Sequence, residues 1–190
     1  MSIRASAPRS MRPLAIADAH GVFVGYASLF NRRDAAGDIV MPGAFRESLK
    51  QRGPQGIRML FQHNPAEPVG SWIDIEENEK GLHVRGRLNA QVQRGRELAA
   101  LLIEHGLDGL SIGFKTVSAS RDRLTGARRL LRIDLWEISL VTFPMLEGAR
   151  VTGIKAHALA AADALFPRSS LLPLREKVAS EASGMRDVTA

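Results

Sequence analysis

The sequence predicts a mainly β, α+β fold: a small antiparallel β-barrel flanked by helices. Three observations lead there. Short segments of strand character recur between residues 20 and 143, separated by Gly, Pro and Asn turn signals. Only two stretches in that span carry the i, i+3, i+4 spacing of a helix. A chain of 190 residues, 45% of them hydrophobic, is long enough to enclose a real core.

Taken in order, residues 1–19 read as a flexible arm and 20–155 as the folded domain. Gly21 to Phe30, rich in Val, Phe and Tyr, is the first strand. A polar loop from Asn31 to Asp38 leads to Met41-Pro42-Gly43-Ala44-Phe45. A short helix follows, with Phe45 and Leu49 on one face and Gly53-Pro54 as its stop. Ile57 to Gln62 is an apolar strand closed by His63-Asn64-Pro65, because proline cannot donate to a ladder. Val69 to Glu76 is the next strand, and Asn78-Glu79-Lys80-Gly81 a turn. In residues 82–88, Leu82, Val84, Gly86 and Leu88 alternate with His83, Arg85 and Arg87, as in a half-exposed strand.

Asn89 is placed to cap the second helix, whose stripe is Leu98, Leu101, Leu102 and His105. Gly106 is placed to end it in the left-handed conformation. Leu110, Ile112 and Phe114 then form one apolar strand face, with Ser111 and Gly113 opposite. Thr125-Gly126 turns a long hairpin whose return strand runs from Leu130 to Phe143 and ends at Pro144. Residues 156–190 read as a weakly structured tail, alanine-rich at first and then broken by Pro167 and Pro173.

Composition removes several classes of chemistry. The absence of cysteine excludes disulfides, thiolate metal sites and cysteine nucleophiles. No apolar run reaches the roughly 18 residues of a membrane span, and no signal peptide is legible, so cytoplasmic synthesis is the default. His20, His63, His83, His105 and His157 show no metal-ligand spacing, and neither HExxH nor the Gly-x-Ser-x-Gly elbow occurs. No cofactor or metal is expected. The net charge is +6, and Arg121, Arg123, Arg128, Arg129 and Arg132 form its densest cluster. That cluster is either a solvated hairpin or a docking site for an acidic partner or nucleic acid; with one tyrosine and two tryptophans, a base-stacking surface is poorly supported.

Three residues stand out for chemistry. Ser111 lies on a strand face kept small, which leaves room for a group to approach the backbone. His63 sits where an apolar strand runs into a loop. Glu137 falls at an odd position of the return strand, in line with Leu131, Ile133, Leu135, Ser139 and Val141. Either it lies on an apolar face, where a carboxylate needs a partner, or a bulge near Trp136 turns it outward. Together they supply a nucleophile, a base and a carboxylate.

The chain resembles the HK97-type prohead maturation proteases of tailed phages. The likeness is carried, in order, by Gly25-Tyr26-Ala27-Ser28-Leu29-Phe30, Gly37-Asp38-Ile39-Val40-Met41-Pro42-Gly43-Ala44-Phe45, Leu60-Phe61-Gln62-His63-Asn64-Pro65 and Pro68-Val69-Gly70. It continues through Gly109-Leu110-Ser111-Ile112-Gly113-Phe114 and Trp136-Glu137-Ile138-Ser139-Leu140-Val141-Thr142-Phe143-Pro144, covering roughly residues 20–155. Pro144-Met145-Leu146-Glu147 departs from the family's usual Pro-Ala-Asn-Pro-like stretch, within a loop.

The resemblance implies a fold similar to herpesvirus assembly proteases. It also implies a serine endopeptidase that cleaves the scaffolding segment of the major capsid protein, and itself, inside an immature shell in a bacterial host. Phage or gene-transfer-particle origin fits equally. It carries the base onto His63 and the nucleophile onto Ser111. Glu137 is the choice for the third member, with His83 and His105 as fallbacks. Self-trimming near or beyond Lys155 is the corresponding expectation for the tail. A homo-oligomer is left open; nucleic acid and membrane are not expected as partners. A catalytically inactive assembly factor is the alternative reading.

Overall fold

The computed structural model describes residues 21–154. The arm (1–19), the tail (156–190) and the self-trimming site expected near Lys155 lie outside the described residues. Eight strands and two helices follow one another: β1 (Val22–Leu29), β2 (Asp38–Val40), α1 (Arg46–Arg52), β3 (Arg58–Phe61), β4 (Asn64–Glu77), β5 (Gly81–Leu88), α2 (Gln93–Ile103), β6 (Gly109–Arg121), β7 (Arg128–Val141) and β8 (Val151–Ile154).

The mainly β, α+β class is as expected, but the sheet is mixed and does not close by a strand ladder. Its order is β2-β7-β3-β4-β5-β1-β8, with β6 also paired to β7. β2 and β3 run parallel to β7, whereas every other pairing is antiparallel. The parallel pairings could not come from hairpins. They arise because β7 offers one edge to two short strands: β2 takes residues 128–130 and β3 takes residues 137–140. Between them α1 and its lead-in fill the gap, for the Ile133 N–H donates to the Ala44 carbonyl and the Leu135 N–H to Ser48 Oγ. Leaving those buried amides unpaired would cost about 1–3 kcal/mol each.

The core lies against one face of this sheet. Phe23, Phe45, Met59, Leu82, Val84, Leu98, Leu110, Leu130, Leu135, Ile138 and Leu140 are essentially inaccessible. Phe23 meets Trp72 edge to face, with ring centroids 5.7 Å apart. α2 closes the layer with Leu98 and Leu102, while Leu101 is left 42% exposed.

Local expectations fail at three places, each for a traceable reason. β3 closes ahead of His63-Asn64-Pro65 as expected, but the next strand starts earlier than Val69: β4 begins at Asn64, and register shifts between Met59 and Phe61 bulge its first residues out of the ladder. There Pro65 needs no ladder bond. Asn89 does not cap α2; its side chain accepts from the Gln91 N–H in a turn, and the N-cap is Val92. α2 ends one residue earlier than Gly106 suggested. His105, at φ 57°, takes the left-handed position. Its N–H and that of Gly106 donate to Leu102 and Leu101 carbonyls, the paired bonds of a Schellman cap.

Candidate active site

The irregular end of the sheet is where the chemistry-bearing residues gather. β3 and β4 are joined by two residues, Gln62 and His63, and both have positive φ (53° and 58°). A two-residue hairpin loop with both angles positive is normally built from Asn and Gly, because a Cβ there costs about 1 kcal/mol or more per residue. This loop therefore needs external support. The Gln62 N–H donates to the Leu140 carbonyl (3.0 Å), and its side-chain amide donates to Thr142 Oγ1 (2.7 Å). The His63 N–H donates to Ser139 Oγ (3.1 Å). All three supports come from β7 or the residue after it.

β7 itself is broken at Trp136. Gly113 pairs with Glu137, but Phe114 pairs with Leu135, so Trp136 is an extra residue without a cross-strand partner. The parity of burial flips there: Ile133 and Leu135 face the core before it, Ile138 and Leu140 after it. Of the two readings open for Glu137, the bulge is the one found. The expected odd-numbered apolar face fails also at Leu131, which is 42% exposed while Leu130 is buried. Turned off the core, Glu137 still does not reach open water. Its side chain is only 13% exposed, covered by the His63 loop.

His63 and Glu137 are joined directly, Nδ1 to Oε1, at 2.6 Å. A carboxylate only accepts, so the ring proton sits on Nδ1 and the Nε2 lone pair is left free. The hydrogen bond to Glu137 holds the His63 pKa above the ordinary imidazole value, against an opposing contribution from burial. The other carboxylate oxygen, Oε2, accepts from the Ser139 hydroxyl at 2.7 Å.

Gly113 makes this possible from the neighbouring strand. A Cβ at that position would overlap Glu137 Oε1, Cδ and Cγ. The small strand face noticed in the sequence thus holds a carboxylate.

Ser111 stands two pairs further along, opposite Ser139, so Ser111, Gly113, Glu137 and Ser139 share a face. Ser111 is nearly buried, at 6% exposure. Among the described residues its hydroxyl makes no hydrogen bond to His63. It also contributes to the wall of a cleft bounded by Leu29, Arg32, Ile112 and Leu146.

The fallback histidines are placed elsewhere. His83 Nδ1 lies 3.4 Å from Glu76 and its ring stacks edge-on to Tyr26; His105 is the helix-ending residue described above. Ser139 had no role in the sequence reading. The signal for it was available: two residues beyond Glu137, it shares the carboxylate's face.

A family described as caudovirus prohead serine protease matches residues 10–163. The prohead protease of Enterobacteria phage HK97 is 38% identical over 138 residues, 72% of this chain and 61% of that protein. The prohead protease of Escherichia phage T5 is 30% identical over 123 residues, 63% of this chain and 56% of its own. This chain therefore spans about three-fifths of the length of these relatives. Among solved structures, the capsid assembly protease of bacteriophage T4 superposes with a TM-score of 0.52 at 14% identity, over 63% of this chain and 80% of that one. That likeness concerns the fold. With the family match spanning most of its length, the chain belongs to the caudovirus prohead serine proteases.

Proposed function

We propose that this chain is a serine endopeptidase in which Ser111 is the nucleophile, His63 the general base and Glu137 the group that orients the imidazole. The observation that carries it is the His63 Nδ1–Glu137 Oε1 hydrogen bond, which leaves Nε2 as the basic nitrogen, with Ser111 on the β6–β7 face that also carries Glu137. In the first step Nε2 accepts the Ser111 proton as Oγ adds to the scissile carbonyl. The imidazolium, stabilised by Glu137, then protonates the leaving amine. Water, deprotonated by the same nitrogen, releases the acyl group. Catalytic hydrogen bonds are often long before substrate binds, which accommodates the separate positions of Ser111 and His63 here.

The proposed substrate is the scaffolding segment of the major capsid protein, cut inside the immature shell, with the chain's own tail as a second substrate. Family membership and the relatives' names support that reading. The test is co-expression with the neighbouring capsid protein, followed by mass analysis, alongside a fluorophosphonate serine probe. A shortened capsid protein and labelling at Ser111, both lost in Ser111→Ala, are expected. An intact capsid protein with no labelling would instead identify an inactive assembly factor.

A further inference from the structure

We propose that Ser139 is a positioning residue that locks the base and its carboxylate into one unit. The inference rests on the reading of the site given above.

Ser139 is fully buried on β7, so its hydroxyl cannot reach a substrate. Its two bonds leave no freedom of direction. The His63 backbone N–H can only donate, so Ser139 Oγ accepts there, at 3.1 Å. The Glu137 carboxylate can only accept, so the hydroxyl proton must point to Oε2, at 2.7 Å. With His63 Nδ1 on Oε1 at 2.6 Å, the three residues close a ring of hydrogen bonds. One oxygen atom thus fixes the backbone of His63 in its left-handed conformation and the rotation of the Glu137 carboxylate. Without Ser139, the loop loses a support for a strained backbone and Oε2 loses its partner. The carboxylate is then free to turn away from the ring.

Among the described residues, no charged side chain substitutes for this anchor. Arg58 pairs with Glu137 in backbone register, but its guanidinium is turned to the Gln55 carbonyl. Arg94, packed over the adjoining Phe61 ring, is held by Glu67 and Glu97. Among the described residues, Glu137 is the single ion-pair partner of His63.

The experiment titrates the His63 ring by NMR in full-length protein carrying Ser111→Ala, which prevents self-cleavage. Adding Ser139→Ala is expected to lower the His63 pKa toward the ordinary imidazole value, because the ring loses a held carboxylate. In the Ser111 background, Ser139→Ala is expected to lower kcat by about ten- to a hundredfold with KM little changed. Ser139→Thr, which keeps the hydroxyl, should restore both toward wild type; Ser139→Val, of the same shape without it, should not. A folded Ser139→Ala protein with an unshifted His63 titration would overturn the proposal. Where that variant does not fold, equal titration of the Thr and Val variants would overturn it. The titration reads the ring whether or not the chain cuts peptides. Loss of the protease reading would show instead as wild-type protein that neither labels nor hydrolyses.

Discussion

Strands β5 and β7 belong to one sheet but treat alternation differently. In β5 the pattern runs unbroken: Leu82, Val84, Gly86 and Leu88 are buried, with Arg85 and Arg87 exposed between them. Each side chain does what its polarity requires, and half-buried His83 points off the core toward Glu76 and Tyr26. In β7 the pattern is interrupted at Trp136, and the interruption turns a carboxylate toward a histidine. A regular strand offers one apolar face and one wet face. In β7 the break in the period leaves Glu137 half-covered on the face it shares with Ser111, where its charge is held and partnered by His63.

This contrast can be tested by substitutions that strike one strand and spare the other. The largest effect is expected on the face shared by β6 and β7. Ser111→Ala should lower peptide hydrolysis by about 10⁴- to 10⁶-fold while the melting temperature stays near wild type. Near-normal turnover by the folded variant would remove Ser111 from the mechanism.

Glu137→Gln keeps shape and removes charge. It should cost about 10³- to 10⁴-fold in kcat, comparable to neutralising the carboxylate of other triads. The sign of its pH dependence follows from the raised His63 pKa. Activity requires neutral Nε2, so the acid limb of kcat/KM in wild type should lie above the ordinary imidazole value and move down in Glu137→Gln. The stability that the pair contributes is present in full below that ordinary value. It is lost as pH rises through the raised one. A wild-type limb at or below the ordinary value would contradict the pairing.

A matched pair of glycine substitutions separates the two strands most directly. A Cβ at Gly113 would displace the Glu137 carboxylate, whereas a Cβ at Gly86 in β5 would press on Met59 Cε at 2.5 Å, Trp72 Cζ3 at 2.8 Å and Phe23 Cζ at 2.9 Å. Gly113→Ala should therefore lower kcat by about a hundredfold through misplacement of the site. Gly86→Ala should instead lose about 1–3 kcal/mol of stability by overpacking, with turnover per folded molecule unchanged. Denaturation curves and active-site-titrated kinetics on both variants would show whether the division holds.

The smallest effect is expected just outside the bulge. Arg52 from α1 grips Asp134 through two bonds of 2.8 and 2.9 Å, and Trp136 Nε1 donates to the same carboxylate at 2.7 Å. These donors, Arg52 first, lower the Asp134 pKa to about 2. The stability it adds is therefore present above the ordinary carboxylate range and lost as pH falls toward that value. The pair is exposed to solvent, so Asp134→Asn should cost no more than about 1 kcal/mol at neutral pH, and less in high salt. Chemical denaturation at two ionic strengths would measure it.

Legibility in the sequence followed the same division. β1, β5, α1 and the long β6–β7 hairpin were readable because periodicity and turn residues act over a few positions. β2 and β8 were missed: they are short, and their strand character comes from edges offered by β7 and β1. His63, Ser111 and Glu137 stood out as residue types in odd places. Ser139 did not: its spacing put it on the carboxylate's face, but only the fold sets its hydroxyl between two partners.

The sequence by itself determined the mainly β class, the positions of most elements and the small face at Ser111 and Gly113. These depend on the side-chain period and on local backbone preference. Tertiary structure decided which way Glu137 points, why Gln62 and His63 hold left-handed angles, and how β3 comes to lie parallel to β7. Each of those outcomes is unfavourable or undefined locally. Each is settled by hydrogen bonds between residues some 70 to 80 positions apart, such as His63 to Glu137 and Gln62 to Thr142. No short-range pattern encodes such a bond; it exists only once the sheet has brought the two segments together.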